Sequence, residues 1–443
     1  MKQALDNFFM INERKSNFKT EIIAGTTTFA TMAYILIVQA MIMSSAGMNA
    51  TGVMLSTALM SGVITLLMGL WAKLPFALAP AMGTNAIFAG LVASGGATFQ
   101  QGLGMIIISG VVFLLLSIFK IREDMVAAMP KNLKVGVGAA IGMFLARLGL
   151  DINAQIVKSD MSGFNDFSNP AVRLGLYGLI ICIVLSFIRV KINGRIYKVR
   201  GAMLISIILT TILGIFMGIV QLPQTIFTGS LQPMGEVVFK ADIIGALQVK
   251  YIPYMIIFFI GDFFSTLGTA LGLGAKAGML DSNGNLPGIG NVFLVDAIGT
   301  VTGGIMGLTT ITTYVESAAG VEAGGKTGFA SVITSIFFFI SMLFAPLFIM
   351  IPGGATGPAL IMIGISMMEV LKDVNFDAAD WAPVAIMVLV TAYANDFAAG
   401  IAIGTITCTI IGVLQYAFTG EKEKIPHWST FLLSALMALK FVF

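Results

Sequence analysis

The chain has 443 residues, 57% of them hydrophobic and only 11% charged, with a mean hydropathy of +0.95. A soluble globular chain carries about twice that charge, and a transmembrane barrel would show alternating segments of about ten residues, which are absent. The formal net charge of +3 says little by itself, and no nucleic-acid partner is expected.

The opening MKQALDNFFMINERKSNFK is not read as a signal peptide, because polar and charged residues separate its short aromatic patch from the first long apolar run. Runs long enough to cross a hydrocarbon layer then recur. They fall at roughly 21–43, 50–72, 76–93, 101–119, 132–150, 171–189, 202–222, 251–272, 289–306, 307–319, 328–350, 356–371, 382–398 and 400–418. The expectation is an all-α polytopic membrane protein of about 14 transmembrane segments, thirteen and fifteen being the open alternatives. The segment 428–443 is apolar but short, either interfacial or a further span.

Basic residues set the expected orientation. Arg14, Lys15 and Lys19 precede the first span, Lys73 follows the second, and Lys120, Arg122, Lys131 and Lys134 follow the fourth. Arg189, Lys191, Arg195, Lys198 and Arg200 follow the sixth, whereas 44–49 and 94–100 have no basic residue. That alternation places the N-terminus in the cytoplasm of a multi-pass protein of the cytoplasmic membrane. Arg147, near the end of the fifth span, is expected to snorkel to the surface.

The two halves echo each other. Thr26, Thr27, Thr28, Thr31 and Tyr34 make the first span polar, as Asp262, Ser265, Thr266 and Thr269 do the eighth. Two spans after each comes a short glycine-containing segment with one polar centrepiece: Asn85 in LAPAMGTNAIFAG and Glu316 in GGIMGLTTITTYVESAAG, 231 residues apart. Seven spans per repeat would insert the second copy upside down, and such interrupted segments mark a transporter's midplane site. A chance match between glycine-rich segments is the alternative.

A carboxylate at mid-depth must be paired, neutralised or hydrated. Glu316 can therefore take up and release a proton or, ionised, accept hydrogen bonds from a polar heterocycle; a structural acid bonded to nearby threonines is the alternative. Asp262 opens DFFSTLG after a long apolar run and is read as a coupling or orienting carboxylate, or else a packing or capping one. Asn85 offers both a donor and an acceptor, and Pro75 and Pro80 make an unwound stretch before a half-helix plausible. Asn395 and Asp396 suit a tight turn as well as a site. Cys182 and Cys408 lie in apolar runs and read as buried thiols, and His427 as an interfacial side chain. Gly320, Gly325, Lys326 and Thr327 satisfy a phosphate-loop pattern without its strand and helix, so a short loop is expected. Nothing supports an enzyme, a metal site or a cofactor.

At these residues the chain resembles the nucleobase–cation symporter-2 (nucleobase–ascorbate transporter) family, in its hypoxanthine/adenine/guanine permease branch. TTTFATMAYILIV, LPFALAPAMGTNAIFA, IREDMVAAMPKNLKVGVGAAIG, GDFFSTLGTALGLG, TTYVESAAGVEAGGKTG and GPALIMIG follow in family order across 15–443. The resemblance implies two inverted seven-span repeats divided into a core domain (spans 1–4 and 8–11) and a gate domain (spans 5–7 and 12–14). The expected boundaries are a cytoplasmic segment 1–20, repeats at 21–222 and 251–418, an extracellular connector 223–250 and a C-terminal segment 419–443. It implies that the third and tenth spans are half-helices preceded by extended segments, an elevator motion, commonly a homodimer, and proton-coupled import of purine bases. By position, Gly83 and Asn85 match the third-span substrate motif, Asp262 the first eighth-span acid, and Glu316 the tenth-span acid that holds the base. The expected substrate set is Gly83, Asn85, Asp262, Ser265, Thr313 and Glu316, with the co-transported proton on Asp262 and Glu316. Sodium in its place stays open, as do a xanthine or uracil carrier and a same-fold anion transporter. Gln39 and Ala40 replace a usual Asn-Pro, Ser265 a second acid, and Asn395–Phe397 and Ala399 depart from the usual thirteenth-span pattern, so the preferred purine is left undecided.

Overall fold

In the computed structural model of the chain, residues 2–119, 131–158, 162–192, 195–199, 201–281, 286–374, 377–394, 397–420 and 425–441 are described. The apolar runs form helices. Among the described residues, seven helices are long and apolar enough to cross a membrane, and five shorter apolar helices of 10–17 residues accompany them. The fifth and tenth of the fourteen predicted segments are Lys131–Leu148, with Lys131 and Lys134 in its first turn, and the six-residue helix Ser317–Glu322. The connector 120–130, with its part of the quoted motif, lies outside the described residues, as do Asn395 and Asp396.

The first span is two helices, Phe18–Met32 and Ile35–Ser45, broken at Ala33 and Tyr34. Its threonines are tolerated because they bond to their own helix: the hydroxyls of Thr26, Thr27 and Thr31 donate to the carbonyls of Ile22, Ile23 and Thr28 at 2.8, 2.7 and 2.8 Å. The third segment is an extended piece, β1 (Leu78–Pro80), followed by the half-helix Met82–Ala93. The loop after the sixth span is a hairpin of β2 (Arg189–Ile192) and β3 (Arg195–Lys198). The sequence signal for it, an Asn-Gly pair between alternating residues, was there to read. The tenth segment repeats the third: β4 (Ile311–Thr313), then the half-helix Ser317–Glu322.

The spans pack in two groups. In one, the fourth span packs on the eighth and ninth, and the eleventh on the first and second. In the other, the twelfth packs on the fifth and sixth, and the thirteenth on the fifth and fourteenth. Adding seven to each span turns the fourth–ninth contact into the eleventh–second and the sixth–twelfth into the thirteenth–fifth. This is the internal symmetry of two inverted seven-span repeats.

Without a hydrophobic drive between helices in lipid, small residues decide how closely they approach. In the second group Gly142 and Gly364 face each other: a Cβ on Gly142 would meet the Gly364 carbonyl at 2.6 Å, and one on Gly364 the Gly142 carbonyl at 2.4 Å. Gly364→Val is expected to force the fifth and twelfth spans apart and destabilise the protein by about 1–3 kcal/mol. A thermal-denaturation midpoint equal to that of the unsubstituted protein would contradict this contact.

Arg147 differs from expectation. It does not snorkel; it is 7% exposed, donates to the Ala392 carbonyl and pairs with Asp151 at 3.5 Å. The apolar surroundings that put it near a span end also placed a carboxylate four residues on, and the two charges satisfy each other inside.

Candidate functional site

β1 and β4 are antiparallel partners, with Leu78 opposite Thr313, Ala79 opposite Thr312 and Pro80 opposite Ile311. Extended backbone at this depth is tolerated only where its N–H and C=O groups find partners. Ala81 N–H donates to the Thr310 carbonyl at 2.8 Å and Tyr314 N–H to the Ala77 carbonyl at 2.9 Å. Leu78 N–H donates to Thr65 Oγ1 at 2.9 Å, and the Thr65 hydroxyl donates to the Leu78 carbonyl at 3.1 Å. Tyr314 Oη donates to the Pro80 carbonyl at 2.5 Å, and Ala77 N–H to Ser317 Oγ at 3.0 Å. Threonines and Ser317, which no lipid-facing helix needs, are what hold the crossing together.

The predicted residues gather on and around this crossing. Glu316 occupies the N-cap position of the second half-helix without a side-chain cap bond. Its Oε1 accepts from the hydroxyl of Tyr34, which sits at the break in the first span, and its carbonyl accepts from Thr31 Oγ1 at 3.3 Å. The side chain is half-buried. Asn85 is fully buried in the first turn of the first half-helix; its Oδ1 accepts from Thr309, while Nδ2 has no partner. The Thr313 hydroxyl is likewise buried and unpartnered. Two orphaned polar groups, one on each arm of the crossing, form an incomplete hydrogen-bonding set, which an incoming polar molecule can complete.

Gly83 has a different surrounding. A Cβ there would meet Ile141 Cγ2 at 2.7 Å, so Gly83 is where the first half-helix touches the fifth span, across the seam between the two groups. Ser265 is half-buried and makes no hydrogen bond among the described residues. A cavity of about 370 Å³ lies along the same seam, beyond the end of the first span, between Ser44 and Ser45 on one side and Asn153, Gln155 and Gly353 on the other.

Asp262 and Glu316 share no hydrogen bond. Asp262, 1% exposed, accepts from Thr300 Oγ1 at 2.6 Å through Oδ2. Thr300 Oγ1 accepts from Ile311 N–H at 3.3 Å, so this acid is tied to the start of β4, whereas Glu316 follows its end. Sequence reading missed two participants. Tyr34 was noted only as part of a polar face, since nothing in the sequence tells which acid its hydroxyl meets. Asp296, fully buried in the ninth span, was passed over although it is a lone carboxylate in the apolar run VFLVDAIG, which is itself the signal.

A permease-family profile matches residues 19–396. Over 444 residues the chain is 38% identical to a putative permease of Methanocaldococcus jannaschii, covering 99% of this chain and 98% of that one. It is 34% identical to an adenine permease of Escherichia coli K12 (99% and 96% covered) and 32% to a guanine/hypoxanthine permease of Bacillus subtilis (99% and 100%). Among solved structures, the transmembrane domain of the cyanobacterial bicarbonate transporter BicA superposes with a TM-score of 0.62 at 16% identity, covering 87% of this chain and 97% of that one. A murine Solute Carrier 26 anion transporter in the inward-facing state gives a TM-score of 0.62 at 11% identity, covering 95% and 72%. At those identities the likeness is one of fold.

Proposed function

This chain belongs to the nucleobase–ascorbate transporter family of permeases, and on that premise we propose that it imports purine bases together with protons. Nucleobase transport is the activity of the family; the purine class, the proton and the motion are our reading. The observation that carries it is the incomplete polar set on the two arms of the strand crossing: buried Asn85 Nδ2 and Thr313 Oγ1 without partners, with Glu316 at the start of the second half-helix. A purine edge alternates donors and acceptors. Glu316 accepts from its N–H groups, Asn85 donates to a ring nitrogen or carbonyl, and the Thr313 hydroxyl does either. A flat, neutral base that satisfies these groups removes the penalty of burying them.

The same reading makes the first helix group the moving core and the second the gate, sliding along the seam at Gly83 and Ile141. A proton-loaded, base-filled crossing traverses the barrier more readily than a half-filled one, because less uncompensated charge and no orphaned polar group is carried through it. The basic residues near alternate span ends support a cytoplasmic N-terminus, and a homodimer in the cytoplasmic membrane is the expected assembly. An inorganic anion would meet a carboxylate where it needs a positive anchor, which disfavours anion transport on this scaffold.

Uptake of labelled hypoxanthine, guanine, adenine, xanthine and uracil by transport-null cells tests this. With an inward pH gradient and no sodium, one or more purines should accumulate. Asn85→Ala should lower that uptake by about tenfold or more, since a buried donor to the base is lost. Uptake of uracil alone, or uptake that needs sodium and ignores the pH gradient, would refute the reading.

A further inference from the structure

The glycine-rich run 320–327, which imitates a phosphate loop, does hold an anion, and that anion belongs to the same chain. Glu21, fully buried in the first turn of Phe18–Met32, accepts from the Lys326 N–H at 3.0 Å through Oε1 and from the Thr327 N–H at 3.2 Å through Oε2. Ser16 Oγ donates to the same Oε1 at 2.6 Å. Successive backbone N–H groups turned onto one carboxylate make the concave anion seat that glycine-rich loops form around phosphates. Here the seat is taken.

Glu21 has no part in the transport cycle above, yet its face of the first span leads to the crossing. Glu21, Ala24, Thr28 and Thr31 recur at three- and four-residue intervals and so share one side of their helix. The half-helix Ser317–Glu322 and the loop after it lie along that side. A Cβ on Gly325 would meet Ala24 Cβ at 2.7 Å, and one on Gly320 would meet the Ala24 carbonyl at 2.7 Å. At the far end Thr31 Oγ1 donates to the Glu316 carbonyl at 3.3 Å. A helix of six residues does not hold its own geometry without packing. The first span therefore fixes this one at both ends, through Thr31 and Tyr34 at Glu316 and through Glu21 beyond its last turn.

Arg14 carries the tie to the other arm. Its Nη1 donates to the Lys326 carbonyl at 3.0 Å and to the Lys73 carbonyl at 2.7 Å. The N–H of Lys326 is thus held by an acid and its carbonyl by a base, both from the N-terminal segment. Lys73 closes the second span in a left-handed turn, φ 56°, shortly before β1. The Phe9 and Phe18 rings meet Phe329 edge-on at 5.5 and 5.3 Å, which seats the same segment on the start of the eleventh span.

We propose that Glu21 and Arg14 are positioning residues for the base: they set the two arms of the crossing against each other, and with them the place of Glu316 relative to Asn85 and Thr313. The inference rests on the purine reading above and adds to it residues that do not touch the crossing. Hydrogen bonds to an ionised carboxylate or guanidinium are short and directional, so they hold a loop in one place. Glu21→Gln keeps one acceptor but turns an N–H against the N–H groups of the loop. The loop then withdraws from the first span and draws the half-helix, with Glu316 at its start, out of place.

The test is equilibrium binding of labelled hypoxanthine, guanine and adenine to the purified full-length protein. Glu21→Gln should weaken binding of the preferred purine by about tenfold, the scale of one misplaced hydrogen bond to the base, and Arg14→Gln by a few-fold. In the Glu316→Gln background both substitutions should change affinity by less than about twofold, because the group they position is already gone. Unchanged affinity in both single variants overturns the positioning role and leaves the purine reading standing. So does a fall in the number of binding sites at unchanged affinity, which is the mark of a packing role, and so does equal weakening with and without Glu316. If Glu21→Gln does not fold, Arg14→Gln, at a half-buried side chain, decides by the same cycle. No purine binding by the unsubstituted protein removes the purine reading itself, and this inference with it.

Discussion

Replacing Glu316 with Gln is expected to weaken purine binding by about 10–100-fold, measured as equilibrium binding of a labelled base to purified protein. Hydrogen bonds to a charged group contribute roughly 1.5–3 kcal/mol each, and a factor of ten in affinity is about 1.4 kcal/mol. The amide keeps one acceptor but presents an N–H where the carboxylate presented a second oxygen, so one base N–H loses its partner and meets a donor instead. The fold should survive, since Glu316 is half-buried and among the described residues its side chain bonds to the Tyr34 hydroxyl. Tyr34→Phe is the companion: it removes that donor while leaving the carboxylate for the base, and a change of only a few-fold is expected. If Glu316→Gln binds as tightly as the unsubstituted protein, the acid does not hold the substrate.

Arg147→Ala is expected to destabilise the protein by on the order of 3 kcal/mol, read as a lower thermal midpoint in detergent. The side chains of Arg147 and Asp151 are 7% and 2% exposed, and they sit 3.5 Å apart. Removing the cation breaks that pair inside the protein, and removes the donor to the Ala392 carbonyl that ties the fifth span to the thirteenth. Lysine should restore only part of the loss, because one ammonium cannot span both partners as the planar guanidinium does. Asp151→Asn in the Arg147→Ala background should recover stability, since it removes the charge left behind. Equal midpoints for Arg147→Ala and the unsubstituted protein would return Arg147 to the membrane surface.

Pro75, Pro80 and the threonine-rich run before Glu316 gave away both unwound segments, because proline has no N–H and hydroxyls have no use in lipid. They did not reveal that β1 and β4 pair with each other, since that contact joins residues more than 230 positions apart. Asp262 and Glu316 were both legible as intramembrane acids. That they stand on separate hydrogen-bond networks was not, because sequence gives each acid its depth but not its direction. Arg147 was misread for the same reason: its distance from a span end was known, its neighbours were not. Gly83 was legible only by its position in the third-span motif; that a Cβ there would meet Ile141 across the seam was not.

By itself the sequence determined that this chain lives in a membrane and which few polar residues the bilayer would have to house, and its echoing halves pointed to two inverted repeats. Hydropathy and charge act locally, so they can be read along the chain. Only the tertiary structure decided which hydroxyl meets which carboxylate: Tyr34 with Glu316, Thr309 with Asn85, Thr300 with Asp262, Thr266 with Asp296. Hydrogen bonds reach about 3 Å and depend on direction, and the partners come from spans that folding alone brings side by side.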